Sequence, residues 1–188
     1  MNDTVDKRLL YRALLKLLIV VAAAAAIYVM WGSLFSSDGS DGVEYQVDLS
    51  GLAAGRSEVV ERGGRRYIIV HRDVAMVRAL HNADEGALLK PRSPWDHQPR
   101  GVDPVLRSFT PDYFVASDYG TDLNCPLKFD GLLPTADDQG WRGGFRDTCR
   151  GSKYDLAGRV LKGQQAQRNL EIPDYRIEGD TLYIRVRK

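Results

Sequence analysis

The side chains best suited to chemistry lie in two short stretches, Gly120-Thr121-Asp122-Leu123-Asn124-Cys125 and Asp147-Thr148-Cys149-Arg150-Gly151-Ser152. Cys125 and Cys149 are the only cysteines. Two thiols cannot supply a four-thiolate iron or zinc site. If the domain lies outside the cytoplasm, pairing them is the simplest reading. Closing a loop of that size would stabilise the fold by about 3 kcal/mol in the chain-entropy model. Thiol–disulfide exchange is the competing chemistry. The cysteines lack C-x-x-C spacing, and Arg150 is the one neighbour that favours a thiolate. His71, His81 and His97 are scattered without ligand spacing. No nucleophile elbow and no phosphate-cradling glycine loop accompanies them.

These stretches need a scaffold, and the composition allows one. The chain has 188 residues, 44% of them apolar, enough for one soluble domain plus an anchor. The net charge of +1, with basic residues scattered rather than laid in a stripe, gives no case for nucleic acid. Residues 17–37 carry no charge and are long enough to cross a bilayer as a helix, which needs about 20 residues. Lys7, Arg8, Arg12 and Lys16 precede this run, and Asp38 and Asp41 follow it. The positive-inside bias then places residues 1–16 in the cytoplasm and residues from about 38 onward outside. The competing reading is a cleaved export signal, with Ala22 to Ala26 as the cleavage region, but the apolar run is long for one. Lys7-Arg8 is at best a weak variant of a twin-arginine signal.

Residues 38–43 read as a flexible linker of small and acidic residues. Beyond it, "VEYQVDLSGL" alternates apolar and polar residues and reads as a strand ended by Gly51, "DYFVASDYG" reads as another strand, and a hairpin turns at Gly63-Gly64 with Tyr67 to Val70 as a buried strand. "RDVAMVRALHN" reads as a short helix with Asp73 as N-cap and Ala75, Val77 and Leu80 at helical spacing. Residues 86–105 and 130–144 read as loops, with Leu132, Leu133 and Trp141 covering the domain's own core. "GRVLKG", "NLEIPDYRIEG" and "TLYIRVRK" read as a closing β-meander that turns at Gly179-Asp180. The expected fold is mainly β: an N-terminal transmembrane helix followed by an antiparallel β-sandwich domain over 44–188.

This order of elements resembles the Rieske iron–sulfur subunit of bacterial quinol–cytochrome c reductases. The resemblance runs from the basic N-terminus through "RSFTPDYFVASDYGTDLNC" to "FRDTCRGSKYDLAGRVLKG" and the closing strands. It implies a cluster-binding-like subdomain over about 107–163. In that family the first loop reads C-T-H-L-G-C and the second C-P-C-H-G-S. Each loop supplies one cysteine and one histidine to the cluster, and the remaining cysteines form a disulfide. By this correspondence Gly120 and Asp147 stand at the thiolate positions and Asp122 and Arg150 at the imidazole positions. Cys125 and Cys149 stand at the disulfide positions, and Leu123, Gly151, Ser152 and Tyr154 match scaffold positions.

A Rieske centre takes two thiolates on one iron and two imidazoles on the other. Glycine has no side-chain donor, and a guanidinium stays protonated. Two carboxylates do not replace the softer set. The expectation is therefore a protein with no [2Fe–2S] cofactor, no metal and no catalytic residue, acting as an accessory subunit of a respiratory complex. It would touch membrane and partner subunits but no small-molecule substrate. The alternative is a redox protein, by conventional Rieske transfer or by Cys125–Cys149 exchange. Ser152 and Tyr154, which in the family bond to the cluster's sulfurs, should bond to backbone or to one another. If the two loops meet as in the family, Asp122, Asp147 and Arg150 converge as a polar plug; the alternatives are three solvated tip residues, each worth little, or a hard-cation site, for which two carboxylates beside an arginine make a poor cage. Gly163-Gln164-Gln165-Ala166 replaces the family's proline-containing cover loop.

Overall fold

A computed structural model describes residues 3–35, 42–93 and 96–187, and the chain divides into two units at Asp41/Gly42. The first unit contains one helix, α1 (Asp3–Phe35). Leucine and alanine dominate it, no proline interrupts it, and its 33 residues rise roughly 50 Å. Within it Leu10–Met30 is long and apolar enough to span a membrane. Ile27, Val29 and Met30 are exposed along it, a surface that water would penalise and a hydrocarbon core would not. The helix begins well before the expected anchor at 17–37, because arginine, lysine and leucine extend a helix readily. Arg12 and Lys16 lie inside the span, where long side chains can reach back to the interface. Most of the expected linker (38–41) lies outside the described residues, while Gly42 and Val43 belong to the first strand.

The second unit is mainly β, and every paired strand is antiparallel. One sheet joins β1 (Gly42–Asp48), β9 (Thr181–Arg187) and β8 (Asp174–Glu178), in that order. A second joins β2 (Arg56–Arg62), β3 (Arg65–His71) and β4 (Tyr113–Ser117). The β2–β3 hairpin turns at Gly63 and Gly64, whose φ of +58° and +71° suit a two-residue turn. The third sheet joins β5 (Leu127–Leu132), β6 (Gly143–Asp147) and the two-residue β7 (Lys153–Tyr154). Phe114, Phe145, Tyr154, Leu170 and Ile184, drawn from all three sheets and the chain between them, fill one core.

Helix α2 (Val74–His81) starts on Asp73, whose carboxylate accepts the Met76 N–H at 2.8 Å. It buries Met76 and Leu80, packs Val77 against them and leaves Ala75 exposed, so of the expected face Val77 and Leu80 point inward and Met76 takes the place of Ala75. The 130–144 loop is shorter than expected because its ends belong to β5 and β6. Gly143 and Gly144 read as loop residues, yet a Cβ on them would meet Gly131 O at 1.9 Å and Tyr154 O at 2.4 Å. Their lack of a side chain lets neighbouring backbone come that close. Trp141 packs with Leu88, Leu133 and Leu161 over the domain's own surface. "GRVLKG" forms only isolated bridges at Val160 and Leu161, and 169–173 is irregular. The meander is thus reduced to the β8–β9 hairpin. Side chains divert this backbone: Asn169 accepts the Val160 N–H, and Arg107 donates to the carbonyls of Gly158 and Leu170.

Candidate functional site

Each chemistry-bearing stretch is a small closed loop. Gly120 N–H donates to Cys125 O at 2.9 Å in the first, and Asp147 N–H donates to Ser152 O at 3.0 Å in the second. Covalent and backbone links tie the loops together. Cys125 and Cys149 form a disulfide, and both the N–H and the hydroxyl of Thr148 donate to Pro126 O. β5 and β6 deliver the second loop, because Asp147 ends β6 opposite Leu127.

The four residues at the proposed ligand positions split into two contacts. Asp122 and Arg150 pair across the loops, Oδ2 to Nη1 at 3.2 Å, with the Arg150 side chain 48% exposed. Asp147 does not join them. Its Oδ1 accepts the N–H groups of Cys149, Arg150 and Gly151 at 3.0, 2.8 and 3.3 Å, and its Oδ2 accepts the Ser152 N–H at 2.9 Å. The three-member plug is therefore a pair, with its third member turned into its own loop. Burial works to raise the Asp147 pKa, but the donors from Arg150, Ser152 and Cys149 outweigh it and hold the carboxyl below the usual range. Gly120 faces the same residue: a Cβ there would stand 2.9 Å from the Asp147 Cβ.

The scaffold residues surround this pair of loops. Tyr154 is fully buried, and its hydroxyl accepts the Thr121 N–H at 2.9 Å and meets Thr121 Oγ1 at 3.1 Å. Burial raises its pKa, against the pull of the Thr121 bonds. Ser152 Oγ accepts the Ala166 N–H at 3.2 Å, so the 163–166 segment rests on the second loop. Leu123 is exposed at the tip of the first loop. Beside Gly120 and Thr121 opens a cleft of about 650 Å³ whose walls mix Arg65, Arg168 and Arg185 with Glu171 and Asp174, a lining that suits water better than an apolar ligand. Among the described residues no three or more His, Cys, Asp or Glu side chains group as metal ligands. His71 contacts Leu52 O through Nδ1 at 2.6 Å and stacks on Tyr113, a structural role.

The iron–sulfur subunit of ubiquinol–cytochrome c reductase from Allochromatium vinosum is 35% identical to this chain over 144 residues, which are 76% of this chain and 69% of that protein. The chain belongs to the Rieske iron–sulfur subunit family. The mitochondrial Rieske subunit of the cytochrome b–c1 complex of Saccharomyces cerevisiae is 30% identical over 139 residues, 74% of this chain and 56% of that one. The mitochondrial relative from Gallus gallus is 28% identical, and the chain spans 44% of it. A chain of a solved hyperthermophilic respiratory Complex III superposes with a TM-score of 0.44 at 19% identity, covering 89% of this chain and 96% of that one. No family model matches the chain. This Rieske-family chain keeps the paired cysteines within a β domain and carries an apolar helix long enough for a membrane.

The buried arginines behind the site were not singled out from the sequence. Arg72, Arg107 and Arg159 are each 1–2% exposed. Arg107 donates to the carbonyls of Ala157, Gly158 and Leu170 and to Gln98 Oε1. Arg72 donates to Leu106 O, Leu156 O and Ser108 Oγ, and burial lowers its pKa to about 10. Arg159 pairs with Asp155 at 2.7 Å. They pin the chain that follows the second loop, at residues 155–158 and 170, to the core. The only signal available was arginine within otherwise apolar stretches such as "GRVL" and "RDVAMV".

Proposed function

We propose that this chain is a membrane-anchored accessory subunit of a respiratory electron-transport complex, holding no [2Fe–2S] cluster and transferring no electron of its own. The geometry at Gly120 and Asp147 carries this reading. Positions assigned to two thiolates bear no sulfur, their β-carbons would lie 2.9 Å apart, and the Asp147 carboxylate is already committed to backbone N–H groups. At the imidazole positions a guanidinium faces a carboxylate. These residues do not fit a Rieske cluster, whose irons need two thiolates and two imidazoles.

The relatives' names support membership of a quinol–cytochrome c reductase or of a supercomplex that contains one. The subunit would lie in the inner membrane with its N-terminus cytoplasmic, one span, and the β domain periplasmic. Its contribution is assembly, stability or a docking surface, with membrane and partner subunits as contacts and no substrate or nucleic acid. Purification of the protein from native membranes in mild detergent, with iron, acid-labile sulfide and EPR measured on the product, tests this. The expected result is co-purification with respiratory subunits and no stoichiometric iron. Recovery of the protein alone removes the subunit role, and a reduced-state Rieske spectrum removes the cluster-free one.

A second reading, thiol–disulfide chemistry at Cys125–Cys149, draws on one observation: Cys149 is exposed while Cys125 is 7% exposed, so an attacking thiolate would reach the Cys149 sulfur. A reduction potential below about −300 mV marks the bridge as structural. One in the thioredoxin or glutaredoxin range favours this reading.

A further inference from the structure

We infer that the Asp147 carboxylate is the anion around which the second loop folds, making it a positioning residue that sets how Cys149 and Arg150 are presented at the tip. This goes beyond the cluster-free reading and rests on the loop's own geometry. It names what organises residues 147–152 and assigns that role to an atom group the chain carries itself.

An aspartate that accepts one or two nearby N–H groups is an ordinary turn device, and this chain uses it repeatedly. Asp103 Oδ1 accepts Val105 and Leu106, Asp137 Oδ1 accepts Gln139 and Trp141, and Asp155 Oδ1 accepts Ala157 and Arg159. In each, a single oxygen takes the backbone donors. Asp147 differs in that both its oxygens are engaged by consecutive N–H groups, from Cys149 through Ser152. It is also 4% exposed, so little water competes for those oxygens.

Successive N–H groups curled toward one point form a concavity suited to an anion. Gly151, at φ +72°, supplies the left-handed step that keeps the last donors aimed inward. The ring is then closed from the other side by Asp147 N–H to Ser152 O at 3.0 Å. Charge-assisted bonds of this kind are stronger than neutral ones, and losing them in a buried site leaves several donors unsatisfied. What they hold has consequences at the surface. Cys149 and Arg150 are themselves members of this ring; Arg150 reaches Asp122 and Cys149 reaches Cys125, so the ring sets these two links to the first loop. The loop's shape is thereby independent of iron supply.

The test is chemical rescue in the full-length, disulfide-bonded protein in detergent. Asp147→Ala keeps the β-carbon and removes the anion. Its thermal midpoint should fall, and trypsin should cut the 150–151 bond about tenfold faster than in wild type, as an opened loop allows. Added formate should restore midpoint and protection in the variant while leaving wild type unchanged, and formamide at the same concentration should restore neither. An unchanged variant, or formate acting equally on both proteins, overturns the inference. Should Asp147→Ala not fold, Asp147→Asn decides: it is expected to fold with a lower midpoint and faster cutting at the same bond, and parity with wild type overturns the inference. Iron content plays no part in any of these readouts, so their failure is distinct from failure of the cluster-free reading.

Discussion

Arg150 and Asp122 meet across two loops that are already joined by a disulfide, Nη1 to Oδ2 at 3.2 Å, with the arginine half in water. Such a pair holds little energy, because solvent and salt screen it. A double-mutant cycle of Asp122→Asn and Arg150→Gln should return a coupling of at most about 1 kcal/mol, shrinking as salt is added. The effect on association should be larger than the effect on stability. In detergent-solubilised membranes, loss of the partner complex from Arg150→Glu at unchanged thermal midpoint would place the tip in a docking contact.

Gly120 is a packing requirement at the centre of the site. A Cβ there would stand 2.9 Å from the Asp147 Cβ and 3.5 Å from the Tyr154 hydroxyl. The first of these atoms is held by backbone and cannot swing away. Gly120→Ala should therefore destabilise the domain by about 1–3 kcal/mol, the usual cost of overpacking. Urea unfolding followed by Trp141 fluorescence measures it.

The frame of the domain was legible where local chemistry decides structure. Gly63-Gly64 marks a turn because it supplies two positive φ angles, and Asp73 marks a helix start because its carboxylate reaches the Met76 N–H. The pairing of Cys125 with Cys149 was legible too, since they are the only two cysteines. β5 and β6 were not, because Gly143 and Gly144 look like loop residues until the backbone packed against them is known. The inward turn of Asp147 was also hidden. It depends on the curl of residues 149–152, and charge attraction alone would have sent the carboxylate toward Arg150. The buried arginines were hidden for a similar reason, as the carbonyls that satisfy Arg107 lie 50 to 63 residues away in sequence.

Arg107 holds that distant backbone with a charge that burial disfavours, so its pKa is lowered despite the help of Asp96. Removing it leaves the carbonyls of Ala157, Gly158 and Leu170 without its donors. Arg107→Met should cost about 3 kcal/mol or more, the range for breaking a buried charged network. Arg107→Lys should recover only part of this, because an ammonium cannot reproduce the planar fork. Both are read from urea midpoints.

The Cys125–Cys149 bridge closes a sequence separation of 24 residues. In the chain-entropy model a loop of that size stabilises by about 3 kcal/mol. The Cys125→Ser/Cys149→Ser variant should lose about that much by urea unfolding. Reduction should have the same effect in wild type and none in the variant.

Two buried carboxylates give opposite pH signatures. Asp118 is fully buried, and Arg66 Nη2 stands 2.7 Å from its Oδ2 without making a hydrogen bond. Desolvation raises its pKa and Arg66 only partly offsets the rise. Asp147 is held low by its N–H donors against the effect of burial. A raised carboxyl contributes stability below its unfolded value of about 3.9 and loses it as pH rises through the folded pKa. A lowered one contributes above about 3.9 and loses it as pH falls through the folded pKa. Asp118→Asn should therefore match or exceed wild type at neutral pH, and any advantage should vanish in acid, where the native carboxyl is neutral as well. Asp147→Asn should be weaker at neutral pH and converge on wild type as pH falls through the lowered folded pKa, where the native carboxyl is protonated as well. Urea midpoints of the three proteins at stepped pH measure both effects. Parallel curves would mean that neither carboxyl changes its proton affinity on folding.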